Sequence, residues 1–172
     1  MANERLISNA RNAARKLALI LEQKNIVIVF AESCTAGLVS GLLAQVPGIS
    51  NWMAGCFATY QNEAKQDWLN VEADLIAEHT AVSREVTLQM AINSLSRTPR
   101  ASISLAVTGH LEPDATDEAP ACLICIAQRE ASGDCSASDV VKKVLSAETR
   151  AGRQWQAAIH CLACAINSLE KK

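Results

Sequence analysis

The chain has 172 residues, of which 49% are hydrophobic and only 3% aromatic, and its formal net charge is −2. This composition fits one domain over residues 1–172 with an aliphatic core. Charged residues are interspersed, without the basic cluster that nucleic-acid binding requires, so we expect no nucleic-acid partner. The first apolar segment is interrupted by Arg11 and Arg15, and no apolar run is long enough to span a bilayer. We therefore expect no membrane association and a cytoplasmic location.

The first half of the chain predicts alternating helices and buried strands from its apolar spacing. In order, the predicted elements are a helix at 3–23, a strand at Ile26–Phe30, a turn at Ala31–Ala36, a helix at 37–46 ended by Pro47-Gly48, a strand at 55–60, and two short helices at 62–69 and 72–79.

The second half predicts one more crossover followed by a meander. In order, the elements are a helix from the N-cap Ser83 to about Leu95, a strand at Ile103–Val107, a polar acidic loop at Thr108–Pro120, a strand pair at Cys122–Gln128 and Val140–Leu145 joined by Ser132-Gly133-Asp134, and a C-terminal helix around Ala157–Ile166. This order predicts an α/β fold of three layers, α/β/α, with a mixed central sheet.

Seven cysteines include two Cys-x-x-Cys pairs, which raises the question of a zinc or redox site. Cys122 and Cys125 fall on a predicted strand, where positions three apart point to opposite faces. Cys161 and Cys164 share a helix face but lack the turn setting that is typical of structural zinc. Packing in the core is the favoured interpretation, and no metal site is predicted.

The turn after the first strand is a candidate binding site, because ligands of open α/β sheets bind at the carboxyl ends of strands. Ser33 and Thr35 supply hydroxyls there, and the next helix offers free N–H groups that attract a phosphate or carboxylate. The alternative, that Ser33 or Thr35 only caps the helix, has equal weight from position alone. Cys34 is a weak nucleophile candidate because no base stands near it in the sequence.

Several motifs in order along the chain resemble the C-terminal domain of the CinA family. Ala31-Glu32-Ser33-Cys34-Thr35-Ala36-Gly37 is similar to AESCTGG. Further matches follow at Pro47-Gly48-Ile49-Ser50-Asn51-Trp52, at Gly55 with Thr59-Tyr60 and Asn62-Glu63-Ala64-Lys65, at Leu69-Asn70-Val71, at Ala81-Val82-Ser83 with Val86 and Met90, and at Ala106-Val107-Thr108-Gly109. The resemblance covers nearly the whole chain.

The resemblance implies an amide hydrolase of the nicotinamide-nucleotide amidase type. Such an enzyme converts nicotinamide mononucleotide, a small nucleotide-like substrate, to nicotinic acid mononucleotide and ammonia. It implies a catalytic pair at Ser50 and Lys65 with Tyr60 beside it, no metal or organic cofactor, and a homo-oligomer. The matching positions that become substrate-binding candidates are Ser33, Thr35, Gly37, Thr108 and Gly109.

Each catalytic candidate also has a plain structural interpretation. Ser50 can cap a short helix from Asn51, Lys65 can lie on a solvated helix face, and Tyr60 can sit at the edge of the core. The fact that all three fall on one motif favours the site. A lysine acts as the base for a serine only when it is neutral, so the site predicts a lowered pKa for Lys65.

One family motif is broken. Where the family has T-G-x-A-G-P-G-G, this chain continues from Thr108-Gly109 into a segment with four acidic residues, namely Glu112, Asp114, Asp117 and Glu118. Loss of the glycines removes a backbone cradle for an anion, and added negative charge opposes a phosphate. The sequence therefore leaves two outcomes open: an amidase for a less anionic substrate, or a binding domain that no longer turns over nicotinamide mononucleotide.

Overall fold

Six strands form one mixed sheet in the computed structural model, which describes residues 2–113 and 119–171. The strands are β1 (Ile28–Glu32), β2 (Met53–Ala58), β3 (Ile103–His110), β4 (Ala121–Arg129), β5 (Cys135–Ala137) and β6 (Val141–Val144). The helices are α1 (Ala2–Lys24), α2 (Leu38–Ala44), α3 (Asn62–Leu69), α4 (Ala73–His79), α5 (Arg84–Ser96) and α6 (Arg150–Glu170), and a 3-10 turn spans Ile49–Asn51.

The sheet has its parallel part at one side and its antiparallel part at the other. β1 pairs in parallel with both β2 and β3, and β4 runs antiparallel to β3. β5 and β6 both pair with β4, as two halves of one edge. All five residues of β1 are buried, as expected for a parallel strand covered on both faces.

Helices cover both faces of the sheet. Ile28 and Phe30 of β1 point into a core shared with α1, α2 and α6. Val29 and Ala31 point the other way, into a core formed with α3, α4 and α5. The alternation of β1 side chains between two cores confirms the predicted three-layer α/β/α fold with a mixed sheet.

Several predicted strand ends are wrong. β2 spans Met53–Ala58 and not 55–60, so Thr59 and Tyr60 follow the strand. β1 continues to Glu32, so Ala31 and Glu32 belong to the strand and not to the turn. β3 continues to His110 because its antiparallel ladder with β4 extends to the pair His110–Ala121. Thr108 and Gly109 are therefore strand residues and not part of a loop. Of the acidic loop residues, Asp114, Asp117 and Glu118 lie outside the described residues.

The predicted strand pair after the loop is confirmed in outline, with one element missed. The turn at Ser132-Gly133-Asp134 leads into the three-residue strand β5, which the sequence did not predict, before β6 begins at Val141. Too short to show an alternating pattern, β5 is defined by its pairing with β4.

The predictions about the Ser83 cap and the Cys122–Cys125 pair agree with the structure, whereas Cys56 is exposed and does not pack in the core. The Ser83 hydroxyl accepts a hydrogen bond from the Val86 N–H at 3.3 Å and caps α5. Cys122 and Cys125 lie in opposite cores, as the strand period predicts. Within residues 2–113 and 119–171, no cluster of three or more metal-ligating side chains exists. No helix in this part of the chain is both long and apolar enough to traverse a bilayer.

Candidate functional site

The candidate site lies where β1 and β2 end side by side. Glu32, the last residue of β1, pairs with Ala58, the last residue of β2. Ser33 to Thr35 follow the first strand, and Thr59 and Tyr60 follow the second. Because neighbouring parallel strands have their carboxyl ends at the same end of the sheet, these two short segments lie together.

Lys65 of α3 is buried at this end of the sheet, with 1% of its surface exposed. Its Nζ donates to the carbonyl oxygens of Thr59 at 3.0 Å and Tyr60 at 3.2 Å. Burial lowers the pKa of Lys65 from the ordinary value of 10.5, against weaker opposite effects of Cys34 and Glu63. A neutral amine that gives its two N–H groups to these carbonyls retains its lone pair, so Lys65 is placed to accept a proton.

Glu32 closes the N-terminus of α2. Its carboxylate accepts hydrogen bonds from the backbone N–H groups of Gly37 at 2.9 Å, Val39 at 3.1 Å and Ser40 at 2.8 Å. Neither Ser33 nor Thr35 caps this helix, so that interpretation of the sequence is wrong. The negative group that the helix end attracts is supplied by the chain itself, and the Gly37 N–H is already engaged.

Two buried hydroxyl groups at the same end of the sheet have no hydrogen-bond partner within the described structure. They are the Oγ1 atoms of Thr35, after β1, and of Thr59, after β2. Ser33 is also buried, with 7% of its surface exposed. Buried hydroxyls without partners are costly unless a bound group completes them, so these two atoms make this end of the sheet a candidate polar binding site.

The remaining predicted binding residues have roles within the fold. The Thr108 hydroxyl donates to the Ala81 carbonyl at 3.1 Å. A Cβ at Gly109 would meet the Ala121 carbonyl oxygen at 2.5 Å, so this glycine permits the close approach of β3 and β4. Ser33 and Thr35, in the turn after β1, therefore remain the binding candidates at the end of the sheet where Lys65 lies.

Helix α6 covers the site with residues that the sequence did not indicate. Gln154 Nε2 donates to the carbonyl oxygens of Cys34 at 3.3 Å and Thr35 at 3.2 Å. Arg150 Nη2 donates to the Tyr60 hydroxyl at 2.9 Å. These contacts join residues 90 to 120 positions apart, which no local pattern reveals.

Cys34 is held in its protonated form. Burial, reinforced by the charge of Glu32, raises the pKa of the Cys34 thiol to about 12, although Lys65 and Arg150 act in the opposite direction. The thiolate is therefore rare at neutral pH, and the structure gives no support to a cysteine nucleophile.

Ser50 lies far from Lys65 in the same chain. It is exposed within the 3-10 turn before β2, whereas Lys65 follows β2. The six residues of β2 lie between them, and a strand rises about 3.3 Å per residue, so the two side chains are roughly 20 Å apart. Lys65, Tyr60, Ser33 and Thr35 lie at the carboxyl ends of β1 and β2. Ser50 lies at the amino end of β2, at the opposite end of the strand.

The fold and the site define a three-layer α/β domain with a buried lysine among hydroxyl groups at the carboxyl ends of parallel strands. Residues 10–168 match the family model of the CinA C-terminal domain, and the chain belongs to this family. The resemblance stated from the sequence motifs is confirmed.

Relatives and solved structures agree with this membership. A competence-damage inducible protein of Symbiobacterium thermophilum is 34% identical over 161 residues, which cover 91% of this chain and 38% of that protein. This chain therefore spans well under half the length of that relative. The crystal structure of CihA from Agrobacterium tumefaciens superposes with a TM-score of 0.77 at 28% identity, covering 94% of this chain and 96% of the other. A CinA superfamily protein of Klebsiella pneumoniae, 22% identical, shares the fold with a TM-score of 0.80 over 95% and 99% of the two chains.

Proposed function

We propose that the protein is an amide hydrolase of the nicotinamide-nucleotide amidase type, with Lys65 as its general base. The observation that carries the proposal is the buried Lys65, whose lowered pKa and two carbonyl partners prepare its amine to accept a proton. The unpaired hydroxyls of Thr35 and Thr59 beside it provide polar groups for a bound amide. No metal or organic cofactor is part of this mechanism.

The chemistry requires one serine activated by Lys65. The neutral amine takes the serine proton as the oxygen attacks the amide carbon. The protonated amine then gives that proton to the amide nitrogen, and the carbon–nitrogen bond breaks to release ammonia. Water hydrolyses the resulting ester by the same exchange of a proton with Lys65. The products are a carboxylate and ammonia, and the serine is restored.

Ser33 is the serine that geometry favours within one chain. It is buried directly after β1, whose last residue Glu32 pairs with Ala58, just before the Thr59 and Tyr60 carbonyls that bind Lys65. Ser50, the candidate from the sequence motif, reaches Lys65 only if a second copy of the chain brings it there. In that case the active site forms only in the homo-oligomer that the family resemblance implies.

Tyr60 has a positioning role in this proposal. Its backbone carbonyl holds Lys65 and its hydroxyl accepts a hydrogen bond from Arg150. It therefore links the buried base to the exposed cation at the mouth of the site. We propose that substrate enters between the Tyr60–Arg150 pair and the turn after β1.

Ammonia release from nicotinamide mononucleotide tests the proposal. Wild-type protein is compared with Ser33→Ala, Ser50→Ala and Lys65→Met, and with Asp67→Asn as an α3 control whose side chain is exposed. Loss of turnover by about 10³-fold or more in Lys65→Met, with Asp67→Asn unchanged, is expected for a catalytic base. Equal turnover in Lys65→Met and wild type would contradict the proposed role of Lys65 as the general base.

The two serine variants identify the nucleophile. We expect Ser33→Ala to abolish turnover and Ser50→Ala to retain it. If Ser50→Ala is the inactive variant, mixing it with Lys65→Met separates two cases. Regained activity in the mixture means that one copy supplies Ser50 and another supplies Lys65. No regained activity means that Ser50 acts indirectly within its own chain.

A second candidate function is a binding domain without turnover, and one observation favours it. Glu112 in the altered loop lies 2.6 Å from Arg153, so a carboxylate occupies the region that follows Thr108-Gly109. This candidate predicts binding of nicotinamide mononucleotide that survives Lys65→Met, with no ammonia released by any variant. Calorimetric titration beside the ammonia assay distinguishes it from the amidase.

A further inference from the structure

Glu112 is held against two arginines at the mouth of the site. Its Oε2 lies 2.6 Å from Arg153 Nη1, and its Oε1 lies 3.9 Å from Arg150 Nη1. Glu112 is the last acidic residue before the segment 114–118. Its carboxylate therefore bridges the end of β3 and the first turn of α6.

Arg153 fixes the carboxylate rather than offering a site of its own. Its guanidinium also donates to the carbonyl oxygens of Leu111 at 2.6 Å, Ala147 at 2.8 Å and Glu148 at 3.0 Å. Only 14% of its side chain is exposed. With these donors engaged, Arg153 orients Glu112 toward Arg150.

Arg150 is the cation that a substrate can reach. Its side chain is 53% exposed, and it joins the Tyr60 hydroxyl on one side and Glu112 on the other. A guanidinium in this position is suited to a phosphate, since its paired N–H groups match two phosphate oxygens. In this chain the same guanidinium already faces a carboxylate.

We infer that Glu112 is a specificity-determining residue that directs the site toward carboxamides without a phosphate group. The inference rests on the proposed amidase and names its substrate class: a neutral nucleoside amide is favoured over the corresponding nucleotide. The Glu112 carboxylate competes with a phosphate for Arg150 and repels it, while a neutral substrate is unaffected.

The charge of Glu112 separates this role from a merely structural one. Glu112 is half-exposed, and a glutamine at this position keeps an oxygen that accepts the hydrogen bond from Arg153, so Glu112→Gln is expected to leave the fold intact. Glu112→Gln keeps the shape and removes the charge, whereas Glu112→Asp keeps the charge. Glu22→Gln on α1 makes the same change in net charge on an exposed residue of another helix, and serves as the matched control.

The experiment compares kcat/KM for nicotinamide mononucleotide and nicotinamide riboside in wild type and the three variants. We expect Glu112→Gln to raise the nucleotide-to-riboside ratio roughly tenfold, the scale of one close charge interaction at an exposed site. Glu112→Asp and Glu22→Gln keep the wild-type ratio. An unchanged ratio in Glu112→Gln, or an equal change in Glu22→Gln, overturns the inference.

Binding of the same two compounds distinguishes failure of the inference from failure of the proposed function. If no variant releases ammonia, the amidase proposal fails, and dissociation constants from calorimetry take the place of kcat/KM. Tighter nucleotide binding in Glu112→Gln alone, with riboside binding constant, still supports the role of Glu112. Equal nucleotide binding in all variants, or no binding of either compound, overturns it.

Discussion

The carboxylate of Glu32 accepts a hydrogen bond from the backbone N–H of Ser40 at 2.8 Å, from within the strand that precedes the helix. With its bonds to Gly37 and Val39, it satisfies three N–H groups at the start of α2. The end of β1 and the start of α2 are thereby joined through one fully buried side chain. This arrangement fixes the turn that carries Ser33 and Thr35.

Glu32→Ala is expected to destabilise the protein. It leaves three N–H groups without an acceptor, two of them buried and that of Gly37 partly buried, which costs about 2–4 kcal/mol of unfolding free energy. Urea unfolding measures the loss. Glu63→Ala, a change of the same type on an exposed residue of α3, is expected to stay within about 0.5 kcal/mol of wild type. Equal losses in the two variants would contradict a capping role for Glu32.

Lys65 makes stability depend on pH in a predictable direction. Because its folded pKa lies below its ordinary 10.5, the folded state holds the proton more weakly than the unfolded state does. The resulting cost is fully present below the folded pKa and disappears as pH rises toward 10.5. Unfolding of wild type and Lys65→Met is measured at about pH 7 and again near the ordinary lysine pKa.

As pH rises over this range, the unfolding free energy of wild type is expected to increase relative to that of Lys65→Met. Lys16→Met, at an exposed ion pair with Glu170, controls for the loss of a lysine. A constant difference between wild type and Lys65→Met would mean that burial does not perturb the pKa of Lys65. Turnover, if present, follows the same sign and increases as Lys65 loses its proton.

Gly109→Ala is expected to destabilise the sheet. The added Cβ would lie 2.5 Å from the Ala121 carbonyl oxygen and 2.8 Å from the Cys122 Cα, both backbone atoms. Relief requires β3 and β4 to move apart, at a cost of about 1–3 kcal/mol. Gly41→Ala in α2 meets nothing within 4 Å and is expected to stabilise its helix by up to about 1 kcal/mol. Thermal unfolding that ranks the two variants in the opposite order would refute the packing role of Gly109.

Ala36→Gly is expected to stabilise the turn after β1. Ala36 has φ of 50°, in the left-handed region that strains a residue with a Cβ. The family motif has glycine here, and restoring it should add about 0.5–1 kcal/mol to the unfolding free energy. Ala44→Gly, at the exposed and helical end of α2, should instead lose about 0.5–1 kcal/mol. Destabilisation by Ala36→Gly would show that the strain is relieved elsewhere.

Periodicity and motif order predicted the layers of the fold because they depend on local spacing. The Ser83 cap, the α3 and α4 helices and the alternation at Cys122 and Cys125 are all set by neighbours a few residues apart. The end of β3 at His110 was missed because it is set by pairing with Ala121, beyond an acidic segment that reads as loop.

The site was predicted less completely than the fold, for a physical reason. Lys65 and Tyr60 belong to one short motif after β2, so local spacing was enough to predict that they lie together. Arg150 and Gln154 reach the same end of the sheet only because α6 packs there, and no pattern in their own segment predicts these contacts. The separation of Ser50 from Lys65 depends on the direction of β2 between them, which motif spacing does not show.

The contact between Gln154 and the turn after β1 has a consequence for synthesis of the protein. The Gln154 amide closes on Cys34 and Thr35 from 120 residues away, so the early motif is incomplete until α6 has left the ribosome. Helix α6 also completes the core that β1 shares with α1 and α2. Both this face of the sheet and the turn after β1 therefore stay uncovered until synthesis of the chain has reached its last helix.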